Sequence, residues 1–385
     1  MILVTADRGW DVAVYYRAMQ ALRVGLDPYA VGLARQYAAN AAVLQTYTYV
    51  YPPITLLVLR IFNFLPLWLA AGLYWIAYVA GCAGIAWAAV QCFRPQDRFA
   101  MQFLIPLAIF FPGLLSGGVI MSGNIAYIFY GAILPAAVLG YKRNCWRWFY
   151  LAVFLAAGCK APLLTLLAIP LLAGKRQGRS SAAVAAGGLG LFAVQSWIWP
   201  VQFSEYLTGV SLQFKFNADF GLSPAGSLGL YLYRHGLPYS SLTTAVFLVY
   251  AGLLFATLYY FSTLYHRSRI TPETWLPVLL VGTILLNPRI LEYDLHAVAL
   301  PMMLIVLRAV CGRVKAGMAV AFAVLFILAL DLCGVSSEGW DRLRGMLVLV
   351  AVLGCGLHSL MMEVRQTFPA AESIVPSPEP LPEIA

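Results

Sequence analysis

Long apolar stretches, separated by short polar loops, constrain this chain more than any other feature. Soluble domains have roughly 25% charged residues, whereas this chain has 11%. Several stretches approach the ~20 residues that a helix needs to cross a bilayer. We therefore predict an all-α, polytopic membrane protein with about 10–11 membrane helices. The stretches lie at about residues 66–92, 99–115, 124–140, 181–200, 241–265, 272–287, 294–311, 316–333 and 342–361.

A further apolar stretch, residues 148–173, is interrupted by the sequence Gly-Cys-Lys-Ala-Pro centred on Lys160. This pattern predicts two short helices that meet at a polar break inside the membrane. Broken backbone is tolerated there only where it packs in protein or lines a wet cavity. We therefore expect the break around Lys160 to lie inside the protein.

The charge of the short loops predicts the topology. Loops 116–123 and 334–341 contain neither lysine nor arginine, and by the positive-inside rule the basic loops are cytoplasmic. The net charge of +9 is then a topology signal and not a nucleic-acid footprint. Residues 1–50, 116–123, 201–240 and 287–293 are expected to face outward. The basic loops carry Arg94 and Arg98; Lys142, Arg143 and Arg147; Lys175, Arg176 and Arg179; Arg267 and Arg269; and Arg308, Arg313 and Lys315.

The chain is expected to form a single membrane domain over residues 1–365. Residues 366–385 are rich in Pro, Glu and Ser and are predicted to be a disordered cytoplasmic tail. Because residues 1–50 should lie outside and Met1–Ala6 is too short to span, we expect a leading helix to precede this sequence. The seven cysteines show no paired spacing, so neither a disulfide framework nor a metal site is expected.

Residues 11–24 are predicted to form an amphipathic helix on the outer leaflet. Its apolar side carries Val12, Tyr15, Tyr16, Met19 and Leu22. Asp11 stands at the start of this helix, where aspartate often caps the backbone. A carboxylate at the lipid–water boundary is also where a membrane enzyme would keep a general base. The two interpretations are compatible.

Two motifs at the outer membrane edge have a structural and a functional interpretation each. Tyr51 closes an aromatic run before two prolines, so it could anchor the chain at the interface or stack on a sugar ring. Asn124 begins an apolar span, so it could cap a helix or donate a hydrogen bond to a hydroxylated ligand.

The remaining candidates are polar groups at or within the membrane. Lys160 costs several kcal/mol unless it meets an anion, which could be a ligand or a structural carboxylate. Arg289 offers a planar fork that matches phosphate oxygens. Nearby Glu292, Asp294 and His296 could orient it or contact an acceptor. Alternatively, residues 287–296 form a solvated loop with internal ion pairs.

Five motifs, given at the end of this paragraph in their order along the chain, resemble those of glycosyltransferase family 87 of the GT-C superfamily. This family includes polyprenol-phosphate-mannose-dependent α-mannosyltransferases. The resemblance implies a GT-C-like fold in which Asp11, on the first outward loop, is the catalytic base. The motifs are Asp11–Tyr16 with Gly25–Tyr29, Tyr51-Pro52-Pro53, Gly123-Asn124, Lys160-Ala161-Pro162, and Asn287-Pro288-Arg289 with Tyr293-Asp294.

The expected reaction is an inverting transfer of a hexose, with mannose as the expected sugar, from a polyprenyl-phosphate donor to a lipid or glycan acceptor. Such a transfer needs one base and cations that stabilise the departing phosphate, but no metal or other cofactor. Arg289 and Lys160 are therefore assigned to the donor phosphate. The alternative is a non-enzymatic transporter or flippase of lipid-linked sugars. The residues assigned to acceptor or sugar binding are Tyr51, Asn124, Tyr293, Asp294 and His296.

Overall fold

In the part of the chain that the computed structural model describes, all regular structure is helical, as predicted. Three of these helices, α3, α7 and α10, are long and apolar enough to cross a membrane. The α-helices are α1 (Trp10–Arg23), α2 (Pro53–Leu59), α3 (Leu67–Val90), α4 (Ala126–Arg143), α5 (Arg147–Cys159), α6 (Ala168–Ala173), α7 (Gly178–Ile198), α8 (Pro200–Asn217), α9 (Pro224–Arg234), α10 (Ser240–His266), α11 (Pro272–Leu285), α12 (Glu292–His296), α13 (Ala299–Val310) and α14 (Gly339–Thr367), with 3-10 turns at Pro95–Asp97 and Ala161–Leu167. The described residues are 10–23, 25–29, 49–60, 64–97, 101–102, 104–105, 122–173, 177–217, 221–238, 240–310, 315, 318 and 339–367.

Most predicted spans are found within a few residues of their expected bounds. The span at 294–311 is divided at residues 297–298 into α12 and α13, and the outward segment 201–240 contains two helices, α8 and α9. Helix α14 continues to Thr367, past the expected end of the domain. The predicted span at 316–333, most of 99–115 and the predicted tail from residue 368 lie outside the described residues.

Several basic loops meet at one end of the helix bundle, which we call the basic face. Lys142 Nζ donates to Gln91 Oε1 at 2.6 Å, which joins the ends of α3 and α4. Arg94 donates to Thr271 and Thr274 at the start of α11. Arg308 in the last turn of α13 donates to the Cys92 carbonyl, just after α3, and to the Glu273 carbonyl at the start of α11. The charge pattern therefore groups these loops correctly.

Segments that the charge pattern assigns to the outside meet at the other end, the opposite face. The amide of Asp11 donates to the carbonyl of Ser122 at 3.1 Å. The amide of Leu222 donates to the carbonyl of Ile290 at 2.8 Å, and Gly221, with φ at 79°, has no room for a Cβ against the Ile290 carbonyl. Which face is cytoplasmic stays a prediction.

Two helices, α5 and α11, start at the basic face and end before they could cross a bilayer, and the chain then turns back. Helix α5 has 13 residues and α11 has 14. At 1.5 Å per residue each rises about 20 Å, against about 30 Å for the hydrocarbon core. The turn after α5 carries Lys160, and the turn after α11 carries residues 287–291. Because α6 and the preceding 3-10 turn pack on α11, the two turns adjoin each other beneath the opposite face.

Close packing of glycines joins α3 to α4. A Cβ at Gly81 would lie 2.6 Å from the Tyr127 carbonyl oxygen, and one at Gly131 would lie 2.2 Å from the Gly81 Cα. Helix α4 carries the loop at residues 122–124 at its start, so this contact sets the position of that loop beside α1. The predicted apolar side of α1 packs into the protein, with Val12, Tyr15 and Met19 all buried.

Candidate active site at the opposite face

The carboxylate of Asp11 is the centre of the candidate site. Asp11 lies in the first turn of α1 and not at the residue before it, so the helical conformation argues against a simple N-cap. Its Oδ2 accepts a hydrogen bond from Asn124 Nδ2 at 3.1 Å. The side chain is partly exposed. The residue is therefore partly exposed, while its carboxylate is held in place by Asn124.

The loop at residues 122–124 is shaped to support Asp11. Gly123 has φ at 72°, a left-handed conformation, and a Cβ there would lie 2.4 Å from Val12 Cγ2. Tyr74 donates to the Gly123 carbonyl at 2.6 Å. Asn124 Oδ1 accepts from the amide of Ala126, the first residue of α4, at 2.9 Å, whereas the N-cap residue of α4 is Ile125. Its amide nitrogen faces Asp11, a contact between residues 113 positions apart that the sequence could not reveal.

Tyr51 belongs to a cluster of tyrosines beside Asp11. Its hydroxyl accepts from Tyr15 at 2.9 Å and from Asn124 at 3.3 Å. Its carbonyl accepts from Tyr29 at 2.6 Å, and its ring packs edge-on against the ring of Tyr15 at 5.3 Å. The Tyr51 side chain is partly exposed. Tyr51 thus lies beside Asp11 and is fixed by protein contacts that the sequence did not indicate; its role in binding sugar stays a prediction.

The surroundings of Asp11 raise its pKa from 3.8 to about 6. Burial is the main cause because it disfavours the charged carboxylate. Hydrogen bonds from Asn124 and Ser122 and the charge of Lys160 act in the opposite direction. A carboxyl group with this pKa is largely ionised at neutral pH and still basic enough to accept a proton.

Lys160 lies at the predicted break between α5 and the following 3-10 turn. Its Nζ donates to Asp294 Oδ1 at 3.4 Å and lies 3.9 Å from the centre of the Tyr293 ring. A structural carboxylate, one of the two predicted partners, is therefore present. An ammonium has three N–H donors, and within the described residues the other two donors of Lys160 have no hydrogen-bond acceptor.

The broken backbone around Lys160 is satisfied by a side chain that the sequence interpretation missed. Gln195 of α7 is fully buried; its Nε2 donates to the Gly158 carbonyl at 3.2 Å. Its Oε1 accepts from the amide of Ile54 at 2.9 Å. The only sequence signal was an amide side chain within an apolar span. The break is packed in protein, which is one of the conditions that we expected.

Asp294 differs from the expectation that it contacts acceptor or sugar. It is 0% exposed, because α4 and the turn after α11 enclose it. Its Oδ1 accepts from Tyr130 at 2.7 Å as well as from Lys160. Its Oδ2 accepts from the Leu291 amide at 3.0 Å and from Asn287 Nδ2 at 3.5 Å. All these contacts are within the protein, so Asp294 stands behind Lys160 and not at the surface of the site.

The other predicted residues of the turn after α11 lie in different environments. Arg289 is partly exposed, and its backbone amide donates to Asn287 Oδ1 at 3.0 Å. The charge of its guanidinium group interacts with Lys160 and Tyr51. It therefore lies near the cation and the aromatic group of the site. His296 is buried, its ring lies edge-on to that of Tyr127 at 6.2 Å, and neither ring nitrogen has a hydrogen-bond partner among the described residues.

Comparison with known proteins decides the family. The model of glycosyltransferase family 87 matches residues 49–288, more than half of the chain. The chain belongs to glycosyltransferase family 87. No curated protein and no solved structure gives a match. This glycosyltransferase has Tyr51, Asn124 and Lys160 within the matched residues, whereas Asp11 precedes them and Arg289 and the later site residues follow.

Family membership and the apolar helices together establish a membrane glycosyltransferase, an enzyme with a sugar donor and an acceptor. Among the described residues there is no group of three or more His, Cys, Asp or Glu side chains that could hold a metal ion. The charged groups that are present, a carboxylate with two cations nearby, suit transfer chemistry that uses a base and an electrostatic clamp.

Proposed function

We propose that this glycosyltransferase moves a hexose, mannose in the simplest case, from a polyprenyl-phosphate sugar to a lipid or glycan acceptor. The transfer occurs with inversion on the outward face of the inner membrane. The observation that supports this most directly is the Asp11 carboxylate, which is partly exposed, held by Asn124, and influenced by the charge of Lys160.

Asp11 is the general base of this proposal. An inverting transfer needs one group that takes the proton from the acceptor hydroxyl as it attacks the anomeric carbon. With a pKa of about 6, Asp11 is mostly ionised at pH 7. The hydrogen bond from Asn124 Nδ2 holds Oδ2 of this carboxylate in place. Retaining enzymes instead use a pair of carboxylates about 5 Å apart.

Lys160 and Arg289 bind the departing lipid phosphate. Negative charge grows on that phosphate as the sugar leaves, so cations fixed nearby stabilise the transition state more than the ground state. Lys160 has donors to spare among the described residues, and Arg289 supplies a bidentate fork. Their turns adjoin each other beneath the opposite face, and it is there that we place the phosphate of the membrane-embedded lipid.

Acceptor and sugar are assigned to Tyr51, Asn124, Tyr293 and His296. The hydroxyl and amide of the first two adjoin Asp11. Tyr293 is partly exposed beside Lys160. A non-enzymatic transporter or flippase would also need cations and a broken helix, but membership of a glycosyltransferase family favours the enzyme.

A transfer assay in membranes tests the proposal. The parent enzyme should transfer sugar from a polyprenyl-phosphate hexose but not from the nucleotide sugar, and the product should have the opposite anomeric configuration. Asp11→Asn preserves the shape of the side chain but removes the proton acceptor, so transfer should fall by roughly 10²-fold or more.

Asp27→Asn is the matched control for this substitution. Asp27 lies on the same face, and its Oδ1 accepts from the amide of Tyr29 at 2.9 Å, which an asparagine can also do. It should retain activity. Equal activity of Asp11→Asn and the parent would remove Asp11 from the mechanism. Transfer from a nucleotide sugar would remove the lipid donor.

A further inference from the structure

We propose that Asp294 and Tyr130 are positioning residues that orient the ammonium of Lys160 toward the donor phosphate, without contacting substrate themselves. This inference rests on the proposed function of Lys160. It changes the role expected for Asp294 from ligand contact to support, and it adds Tyr130, which the sequence presents as an ordinary aromatic residue of an apolar span.

Three separate elements meet at this group. Lys160 comes from the break after α5, Asp294 from α12, and Tyr130 from the second turn of α4. Asp294 is 0% and Tyr130 is 1% exposed. Neither side chain can reach a ligand directly, so an effect on the reaction must pass through Lys160.

The contacts of Asp294 fix the direction of its charge. Its Oδ2 is held by the backbone of Leu291 and by Asn287, which belong to the same turn. Its Oδ1 faces Lys160 and Tyr130. A distance of 2.7 Å from the Tyr130 hydroxyl is typical of a strong, charge-assisted O–H···O⁻ hydrogen bond. The carboxylate is thereby anchored on three sides and presents one oxygen to Lys160.

The contact between Asp294 and Lys160 is long, at 3.4 Å. A lysine below the membrane surface needs a compensating charge, but a tight pair would leave it little attraction for a phosphate. The Tyr130 hydroxyl already shares Oδ1, which weakens the hold of Asp294 on the ammonium. The Tyr293 ring, 3.9 Å away, supports the cation through its π-face. The ammonium is therefore stabilised but keeps free donors for a ligand.

A double-mutant cycle tests whether Asp294 and Tyr130 act through Lys160. The readouts are the donor and acceptor KM, kcat, and the binding of a short-chain polyprenyl phosphate to purified enzyme by calorimetry. Tyr130→Phe removes one hydroxyl and should weaken phosphate binding about 10-fold, with the acceptor KM unchanged. Asp294→Asn should have a larger effect in the same direction. In a Lys160→Met background, both substitutions should have no further effect.

The controls separate positioning from folding and from failure of the proposed function. Tyr141→Phe, on the same helix near the basic face, retains the ring stacked on Tyr265 and should bind lipid phosphate normally. Should Asp294→Asn fail to fold, Tyr130→Phe alone decides. Additive losses in the Lys160→Met background, or a defect only in the acceptor KM, would overturn the inference. Loss of transfer from lipid phosphate in the parent would instead overturn the proposed function.

Discussion

The two faces of this glycosyltransferase each contain an ion pair, and the pairs differ in their contacts. On the basic face, Arg308 donates to Asp97 at 2.6 Å, to the Cys92 carbonyl at 2.9 Å and to the Glu273 carbonyl at 2.7 Å. On the opposite face, Lys160 lies 3.4 Å from Asp294. Arg308 thus has three acceptors in two chain segments, whereas Lys160 has one acceptor among the described residues.

This difference indicates which pair supports the fold and which supports chemistry. Arg308 joins the end of α13 to the ends of α3 and α11, so its donors are used in closing the bundle. The long contact of Lys160 leaves donors available, and its charge acts on Asp11. Burying a charge without strong pairing is unfavourable, and such strain is found where function requires it.

The largest expected effect concerns Lys160. Lys160→Met keeps much of the apolar stem but removes the cation, so we expect transfer to fall by 10²- to 10³-fold, the range for loss of one electrostatic stabiliser. The donor KM should rise and kcat should fall, because the phosphate becomes more negative as the sugar leaves.

Two substitutions at Arg289 test the same phosphate-binding role as Lys160→Met, one milder and one more severe. Arg289→Lys keeps the charge but loses the fork, so it should impair transfer less than Arg289→Ala. Initial rates with donor and acceptor varied separately measure both effects. A defect confined to the acceptor would show that these cations hold the acceptor and not the phosphate.

The next effect should appear on the basic face as a change in stability. Arg308→Met leaves Asp97, whose side chain is only 11% exposed, without its cation, and we expect a loss of about 3 kcal/mol in the free energy of unfolding. Thermal unfolding in detergent measures it. Transfer per folded molecule should remain unchanged, since the contacts lie at the other end of the bundle. A normal melting temperature with lost transfer would reverse the assignment of the two pairs.

Asp11→Asn should have the opposite effects to Arg308→Met: it should lower activity but raise stability. Its folded-state pKa of about 6 exceeds the ordinary 3.8, so the folded protein binds more protons and loses stability as pH rises between these values. Asp11→Asn removes this penalty and should stabilise the protein by about 1–3 kcal/mol above pH 6.

The gain from Asp11→Asn should fade as pH falls toward 4, because the carboxyl group is then neutral in both states. Unfolding measured from pH 4 to pH 8 tests this. Asp97→Asn should instead lower stability, because it weakens the pair with Arg308. A destabilised Asp11→Asn at pH 8 would mean that the carboxylate supports the fold.

The sequence predicted those features of the fold that depend on local composition. Charge alternation grouped the loops correctly, and the glycine, lysine and proline around Lys160 marked the break. Neither depends on long-range contacts. The depth of the break also follows, because short apolar segments on both sides cannot cross a bilayer.

Contacts between distant segments could not be predicted from the sequence. Asn124 and Asp11 are brought together by the glycine packing of α3 and α4 and by the left-handed turn at Gly123. The burial of Asp294 depends on α4, more than 150 residues earlier in the chain. Tyr130 resembles any other aromatic residue of a membrane span, because only the fold shows which hydroxyl faces a carboxylate.

The smallest expected effect concerns the pH dependence that Asn124 gives to Asp11. Asn124 donates to the carboxylate and lowers its pKa, against the larger effect of burial. Asn124→Ala removes this donor, so the pKa of Asp11 should rise above 6 and the acidic limb of kcat/KM should move to higher pH by about one unit.

Activity of Asn124→Ala should then drop several-fold more near pH 6 than near pH 8, a pH-dependent difference that loss of folding would not produce. Asn124 Oδ1 also accepts from the Ala126 amide at the start of α4. Asn124→Asp separates the contact with Ala126 from the effect on Asp11, because it keeps the acceptor oxygen but adds a negative charge. It should therefore move the acidic limb further toward high pH. Thr274→Val on the basic face should lower the melting temperature and leave the limb in place. An acidic limb that stays fixed in both Asn124 variants would show that another group sets the pH dependence.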